Sequence, residues 1–336
     1  MNSFYFLCAA FLFIITALDI IKTTHSSSGG GKITDAVSKG VWKGLYVAAG
    51  KNGRSKLLEY AGLGVLVSIL TVWVFGLWAG VFVMLLSDPD SVLKSSTLAS
   101  TDPLEKLYYA GFTLSTLGVG DYVASTNFWR IITTVAAFSG LAFITTSITY
   151  FIPVLSAVGL QSRLSLYINS LGTTPLQIVQ NSWSGQDFSS FFNNTSDLCQ
   201  MLMQHTVNHH SYPVIHFFHN SKPELAIVRA VVLLDEAHQF LKNVVKQDAG
   251  IDKLKLHMLQ TALDEYLGMV KGSFIKNETP NEKAPKPDLS QLEASGVPLQ
   301  EEKHSENASG QELQERRKLL TVLLEKDGWK WRDVYY

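Results

Sequence analysis

Residues 101–123 read TDPLEKLYYAGFTLSTLGVGDYV. The stretch opens as a helix start. Asp102 is a good N-cap, Pro103 suits the first helical position, and Glu105 stands at the spacing of a capping box. Leu104, Leu107, Tyr108 and Phe112 follow at helical spacing, and the run stops at Ser115. A helix over 103–115 is about 20 Å long, too short to cross a hydrocarbon core of about 30 Å. Thr116-Leu117-Gly118-Val119-Gly120-Asp121 comes directly after it, and its alternate glycines permit backbone angles that side chains resist.

Long charge-free runs, residues 60–87 and 131–162, flank this stretch. Residues 57–86 (LLEYAGLGVLVSILTVWVFGLWAGVFVMLL) and 128–158 (FWRIITTVAAFSGLAFITTSITYFIPVLSAV) are each long enough to span a bilayer with some tilt. A third apolar run lies within 1–21, with Asp19 near its end. No Lys or Arg precedes it and no A-x-A site follows, which favours a retained transmembrane helix over a cleaved signal peptide. Overall the chain is 46% hydrophobic and only 17% charged. A soluble domain would carry about 25% charged residues, mixed along the chain rather than segregated. With 28 basic against 29 acidic residues, a general nucleic-acid binder is excluded. The two cysteines, Cys8 and Cys199, exclude a disulfide framework and a cysteine-rich zinc fold. The expected class is an all-α, multi-pass membrane protein.

Loop charges orient it. Residues 22–56 carry Lys22, Lys32, Lys39, Lys43, Lys51, Arg54 and Lys56 against Asp35 alone, so the positive-inside rule predicts a cytoplasmic segment. The loop between the long runs carries Asp88, Asp90, Asp102, Glu105 and Asp121 against two lysines and belongs outside. The N-terminus is then outside the cell membrane and everything after Gln161 is cytoplasmic. Within 22–56, Ile33, Val37, Val41, Leu45 and Ala48 form a stripe with the lysines off it. This predicts a helix lying in the membrane interface, weakened by Gly40, Gly44 and Gly50.

The run Thr116 to Asp121 resembles the pore signature T-x-G-[aromatic or aliphatic]-G-D of potassium channels, and its placement after a short capped helix between two spans matches as well. Residues 57–160 resemble two-transmembrane, pore-loop potassium channels of the prokaryotic type. The resemblance implies an outer helix (57–86), a pore helix (103–115), an ion-selectivity filter (Thr116, Leu117, Gly118, Val119, Gly120, Asp121) and an inner helix (128–158). It implies a gating hinge at Gly140, although close helix packing explains a glycine there equally well. Thr145, Thr146 and Thr149 are candidates for the pore cavity, or for hydroxyl bonds within their own helix. Pro153 is expected to bend the inner helix. Val119 departs from the usual aromatic residue, so its carbonyl is kept and the ring that packs on the pore helix is lost. Tyr108 and Tyr109 match an aromatic pair around the filter, and Phe112 replaces a carboxyl partner of the filter aspartate. With one filter motif and no internal repeat, the four-fold carbonyl ring that the resemblance implies requires four chains, a homotetramer, and no arginine-rich span resembles a voltage sensor.

Residues 161–275 predict a cytoplasmic helical domain, with amphipathic faces such as Leu225, Val228, Val232, Leu233, Ala237 and Leu241. No glycine-rich strand-to-helix turn marks a dinucleotide-type regulatory domain. Six of nine histidines fall between 205 and 238. His205, His209 and His210 are candidate pH-sensing residues, since imidazole titrates near neutrality. His205 and His209, one turn apart, also have a chelating spacing, while most such histidines are simply satisfied polar groups. No HEXXH occurs. Residues 276–311, rich in Pro, Glu, Lys and Ser, predict a disordered linker, and 312–336 a C-terminal helix with an aromatic tail that docks on the bundle or a neighbouring subunit.

The expected function is passive conduction of K+ with no cofactor, no catalytic residue and no resident metal. The expected partners are membrane lipid, K+ and three further copies, and no nucleic acid. One alternative is a poorly selective monovalent cation channel. Another is a membrane-anchored, metal-dependent cytoplasmic sensor or enzyme, supported by the histidines alone.

Overall fold

The computed structural model describes residues 1–25, 29–275, 278–300 and 308–336. The chain is an all-α membrane protein. Its helices are α1 (Ser3–His25), α2 (Lys32–Ala48), α3 (Ala61–Leu86), α4 (Pro103–Leu114), α5 (Asn127–Leu171), α6 (Pro175–Ser182), α7 (Ser189–Ser211), α8 (Ile227–Asn243), α9 (Lys253–Ser273), α10 (Ser290–Ala294), α11 (Ala308–Asp327) and α12 (Arg332–Tyr335). A 3-10 turn, Lys56–Tyr60, leads into α3. A two-stranded antiparallel ribbon pairs β1 (Val92–Lys94) with β2 (Tyr122–Ala124), in the register Val92↔Ala124 and Lys94↔Tyr122. Two compact units result. The first holds Met1–Val41, Leu63–Leu155 and Ser211–Val214, and the second holds Trp42–Gly62, Ser156–His210 and Ile215–Tyr336.

Among the described residues, three helices are long and apolar enough to cross a membrane: Ser3–His25, Lys56–Leu86 and Asn127–Leu171. In the first unit α3 buries Val65, Ile69, Trp73, Leu77 and Val81, every fourth residue and so one side of the helix. Gly76 and Gly80 let α1 approach α3 closely. A Cβ on Gly76 would stand 2.7 Å from the Thr16 hydroxyl, and one on Gly80 would stand 2.9 Å from Phe13. This is the small-xxx-small contact by which apolar helices pack in lipid. Further along α1, Asp19 is buried, and its carboxylate accepts bonds from the backbone N–H of Ile33 (2.8 Å) and Thr34 (3.2 Å), the Thr34 hydroxyl (2.6 Å) and Trp73 Nε1 (3.1 Å). It therefore satisfies the open N–H groups at the start of α2. Gly31 leaves no room for a side chain beside that carboxylate.

The inner helix expected over 128–158 is corrected at its end. It continues through Pro153 to Leu171 as one helix, because Val154, Ala157, Leu164 and Ile168 extend a buried face. In the second unit the amphipathic character expected around Leu225, Val228, Val232, Leu233, Ala237 and Leu241 is also corrected. Fifteen of the 17 residues of α8 are buried, since α6, α9, α11 and α12 pack around it. Its two carboxylates are paired from α11: Arg316 donates to Asp235 (2.9 and 3.0 Å), and Arg317 to Glu236 (3.0 and 2.8 Å). Arg229 donates to Asn169 (2.7 Å) and to the Thr173 carbonyl (2.8 Å). The disordered linker is corrected in its described part. Residues 278–300 contain α10, bury Leu292 and Val297, and bridge Leu299 to Val245. Residues 276–277 and 301–307 of that expected linker lie outside the described residues. Trp329, Trp331 and Val334 join the core around α8, so the aromatic tail docks on its own bundle.

Candidate functional site

The 101–123 stretch folds around α4. The capping box is formed: Asp102 Oδ1 accepts from Glu105 N (2.8 Å) and Glu105 Oε2 accepts from Asp102 N (2.9 Å). Glu105 also pairs with Lys94 (2.8 Å) and accepts from the Tyr122 hydroxyl (3.1 Å), tying the helix start to both strands of the ribbon. Trp78 Nε1 donates to the Leu107 carbonyl (3.0 Å), and the Tyr109 hydroxyl meets Thr133 (3.2 Å). Sequence reasoning missed Lys106. Its ammonium is buried and donates to the carbonyls of Asp88 (2.6 Å), Pro89 (2.8 Å) and Leu85 (3.3 Å), holding the turn that follows α3. Trp129 Nε1 fixes the same turn through Asp88 Oδ2 (3.0 Å). A single basic residue within a short, mostly apolar helix was the available signal.

The backbone changes hand immediately beyond α4. Thr116 N donates to the Thr113 carbonyl (3.1 Å) and Leu117 N to that of Phe112 (3.0 Å). From there φ is positive at Thr116 (58°), Gly118 (59°) and Gly120 (84°), and is not positive at Leu117 or Val119. Alternation between left- and right-handed residues turns successive N–H groups to one side and carbonyls to the other. Glycine takes this conformation freely, whereas Thr116, being β-branched, is held in it against its preference. All six residues from Thr116 to Asp121 are exposed, and the Asp121 carboxylate has no hydrogen-bond partner among the described residues.

Near this run, Phe112 packs among aromatic rings. It lies edge-on to Tyr108 (5.2 Å) and Tyr109 (5.0 Å), and Tyr108 also meets Tyr122 (5.9 Å). Gly140 on α5 backs directly onto the carbonyl of Leu114, leaving no space for a Cβ. An apolar cavity of about 320 Å³ adjoins it, lined by Trp78, Gly111, Leu114, Gly140, Phe143 and Ile144. Thr145 and Thr149 are exposed, and their hydroxyls bond the carbonyls of Leu141 (3.1 Å) and Thr146 (2.9 Å) within the helix. Thr146 is half-buried. Val135, Phe138, Leu141, Ile144, Ile148 and Ile152 leave a long apolar strip of α5 exposed.

The structure brings His205 and His209 together (ring centroids 5.9 Å apart), adds His216 (Nε2 of His209 to Nδ1 of His216, 3.2 Å) and leaves His210 at the surface. Burial pushes His205 and His216 down to about 4 and His209 well below the usual histidine range; neighbouring imidazoles add to this for His205 and His209. Burial thus disfavours the protonated form of His205 and His209, which runs against the expectation that they sense pH near neutrality. Among the described residues no group of three or more His, Cys, Asp or Glu side chains is arranged to hold a metal ion.

Comparison with known proteins places an ion-channel domain in this region. Residues 66–157 match a family model described as "Ion channel". Over 333 residues the chain is 30% identical to the uncharacterized membrane protein YdjJ of Bacillus subtilis (strain 168), covering 98% of this chain and 96% of that protein. No solved structure matches the chain. The chain therefore belongs to the family of the Bacillus membrane protein YdjJ, and carries over residues 66–157 an ion-channel domain resembling the two-transmembrane, pore-loop potassium channels.

Proposed function

We propose that four copies of this chain form a potassium-preferring channel, with the carbonyls from Thr116 to Gly120 as its selectivity filter. The observation that carries this reading is the alternation of φ sign along 116–120, directly after a short capped helix. A potassium ion sheds its water only where a ring of oxygens replaces it, and a single chain supplies one side of such a ring. Four chains complete it and cover apolar surface that each α5 leaves exposed. The C-terminal end of α4 adds negative potential near the ion path. Asp121 forms the outer mouth, Thr116 adds a hydroxyl at the inner end, and Thr145, Thr146 and Thr149 face the water-filled vestibule below it. The basic segment 22–56 and the second unit are cytoplasmic, the N-terminus lies outside, and the assembly sits in the cell membrane surrounded by lipid. Permeation is passive and uses no catalytic residue, cofactor or nucleic acid.

A less selective monovalent cation pore is the second reading. It is favoured by Val119, which has no aromatic ring to brace the filter, and by the unpartnered Asp121 carboxylate. The test is potassium efflux from liposomes containing the purified full chain, compared with Gly118→Ala. Efflux in the wild type and its loss in a variant that keeps a tetrameric mass in detergent supports the assignment. Undiminished selective efflux in Gly118→Ala overturns it.

A further inference from the structure

His219 differs from the other buried histidines. Its side chain is 1% exposed, yet both ring nitrogens face acceptors. Nδ1 lies 3.0 Å from Asp327 Oδ1 at the end of α11, and Nε2 lies 2.6 Å from the carbonyl of Gly53 in the turn before α3. The rings of Trp329 (5.9 Å, stacked) and Trp42 (6.1 Å) enclose it. A neutral imidazole has one N–H and an imidazolium has two. A carbonyl and a carboxylate accept only, so the charged ring alone bonds both. Loss of the proton would aim a lone pair at an oxygen inside a closed site, a costly arrangement.

The contact is tightly built. Gly53 N donates to the Gly328 carbonyl (2.9 Å), and a Cβ on Gly53 would stand 3.0 Å from the carbonyls of both Asp327 and Gly328. On either side, the Tyr46 hydroxyl donates to the Glu325 carbonyl, and Arg54 pairs with Asp333 (2.8 Å). Gly53 lies three residues before the turn Lys56–Tyr60, which runs into α3.

We propose that His219 is a proton-operated clasp. Protonated, it ties the turn at Gly53 to the end of α11; as pH rises it lets go of the segment that leads into α3. Asp327 and, at longer range, Glu59 are the carboxylates that act on it. Gln161, Tyr266, His205, His209 and His216 line the small cavity beside it. The other nearby charges are already engaged: Arg54 with Asp333, and Lys326 with Glu278 (2.7 Å). Burial alone would lower the His219 value. The charge and hydrogen bond of Asp327, the Gly53 carbonyl and Glu59 outweigh it, and the net shift is upward. A raised folded value means that the clasp is complete below the ordinary histidine range and is lost as pH climbs through the folded value.

An effect on conduction rests on the channel reading above; the clasp itself does not. Hydrogen exchange of the full chain in detergent, between pH 6 and 9 and corrected for the chemical exchange rate, tests it. Peptides covering 46–60 should lose protection as pH rises, about tenfold for each unit by which folding raises the His219 value. Asp327→Asn should move the midpoint to lower pH, and His219→Gln should remove the pH dependence. Constant protection of 46–60 in the wild type, or an unchanged pH-dependent loss in His219→Gln, overturns the clasp. Potassium efflux from the same preparations separates the two readings. PH-dependent protection without efflux in the wild type refutes the channel and leaves the clasp standing.

Discussion

The carbonyl of Leu114, the last residue of α4, rests against Gly140 of α5 with no space for a methyl group between them. A glycine in the middle of a helix is usually read as a source of bending. Here the missing side chain is what lets α5 touch the end of α4, and with it the start of the 116–121 run. Gly140→Ala should therefore misplace that run as well as destabilise the fold. Forcing a methyl into such a contact costs about 1–3 kcal/mol. Thermal unfolding of the detergent-solubilised protein should show a lowered Tm, with a further loss of selective flux in liposomes. A Tm and flux equal to wild type would mean that α5 moves away freely and would restore the simple hinge.

Asp19 is a second joint of this kind. Its carboxylate serves four donors from α2 and α3 inside an apolar helix pair. Asp19→Ala leaves those donors without an acceptor, at about 1–3 kcal/mol for each buried group left unpaired. Asp19→Asn keeps one acceptor oxygen and should be milder. Proteolytic sensitivity of residues 29–41 should follow the order wild type, Asn, Ala. Equal sensitivity in all three would show that α1 does not anchor the start of α2.

The buried histidines predict acid lability of the second unit. His205, His216 and His238 are held at about 4 and His209 well below the ordinary histidine value, mainly by burial. Below about 6.5 the unfolded chain takes up protons that the folded chain refuses. The stability that these groups supply is full above that value and is lost as pH falls toward 4. His205 has neither ring nitrogen bonded among the described residues and stacks on Tyr266 (5.7 Å), so an apolar residue can replace it. His205→Leu should fold and should flatten the fall in Tm between pH 6.5 and 4.5. A fall as steep as that of the wild type would exclude His205 as a contributor.

Local features of this chain were legible in its sequence and long-range ones were not. The capping box of Asp102 and Glu105 depends on residues three apart, and the charge-free runs need only length and hydropathy. The partners of Asp19 come from 14 to 54 positions away, so nothing near it distinguishes a buried cap from a helix-end charge. Arg229, Asp235 and Glu236 on α8 are charged, and nothing near them in sequence marks them as buried. The partners of the two carboxylates, Arg316 and Arg317, lie 81 residues downstream. His209 and His219 sit in one short stretch of identical chemistry. Only the fold supplies Asp327 to one and an apolar, imidazole-lined site to the other.

The 116–121 run was legible as a motif, and its backbone alternation was foreshadowed by Gly118 and Gly120. The positive φ at Thr116 was not, because threonine has no such preference. Serine at that position keeps the hydroxyl and removes the β-branch. Thr116→Ser should therefore conduct with little change, while Thr116→Val, which keeps the branch and loses the oxygen, should lose most of its potassium flux. Equal flux in the two variants would remove the hydroxyl from the ion path.

The central claim is that carbonyls from Thr116 to Gly120 of four chains select potassium. The most direct measurement is the reversal potential of the purified full chain in liposomes or planar bilayers, with potassium on one side and sodium on the other. A potassium preference of about tenfold or more is the predicted result, lost in Gly118→Ala. A reversal potential near zero, with equal passage of both ions, would contradict potassium selection and establish the pore as a general monovalent cation channel.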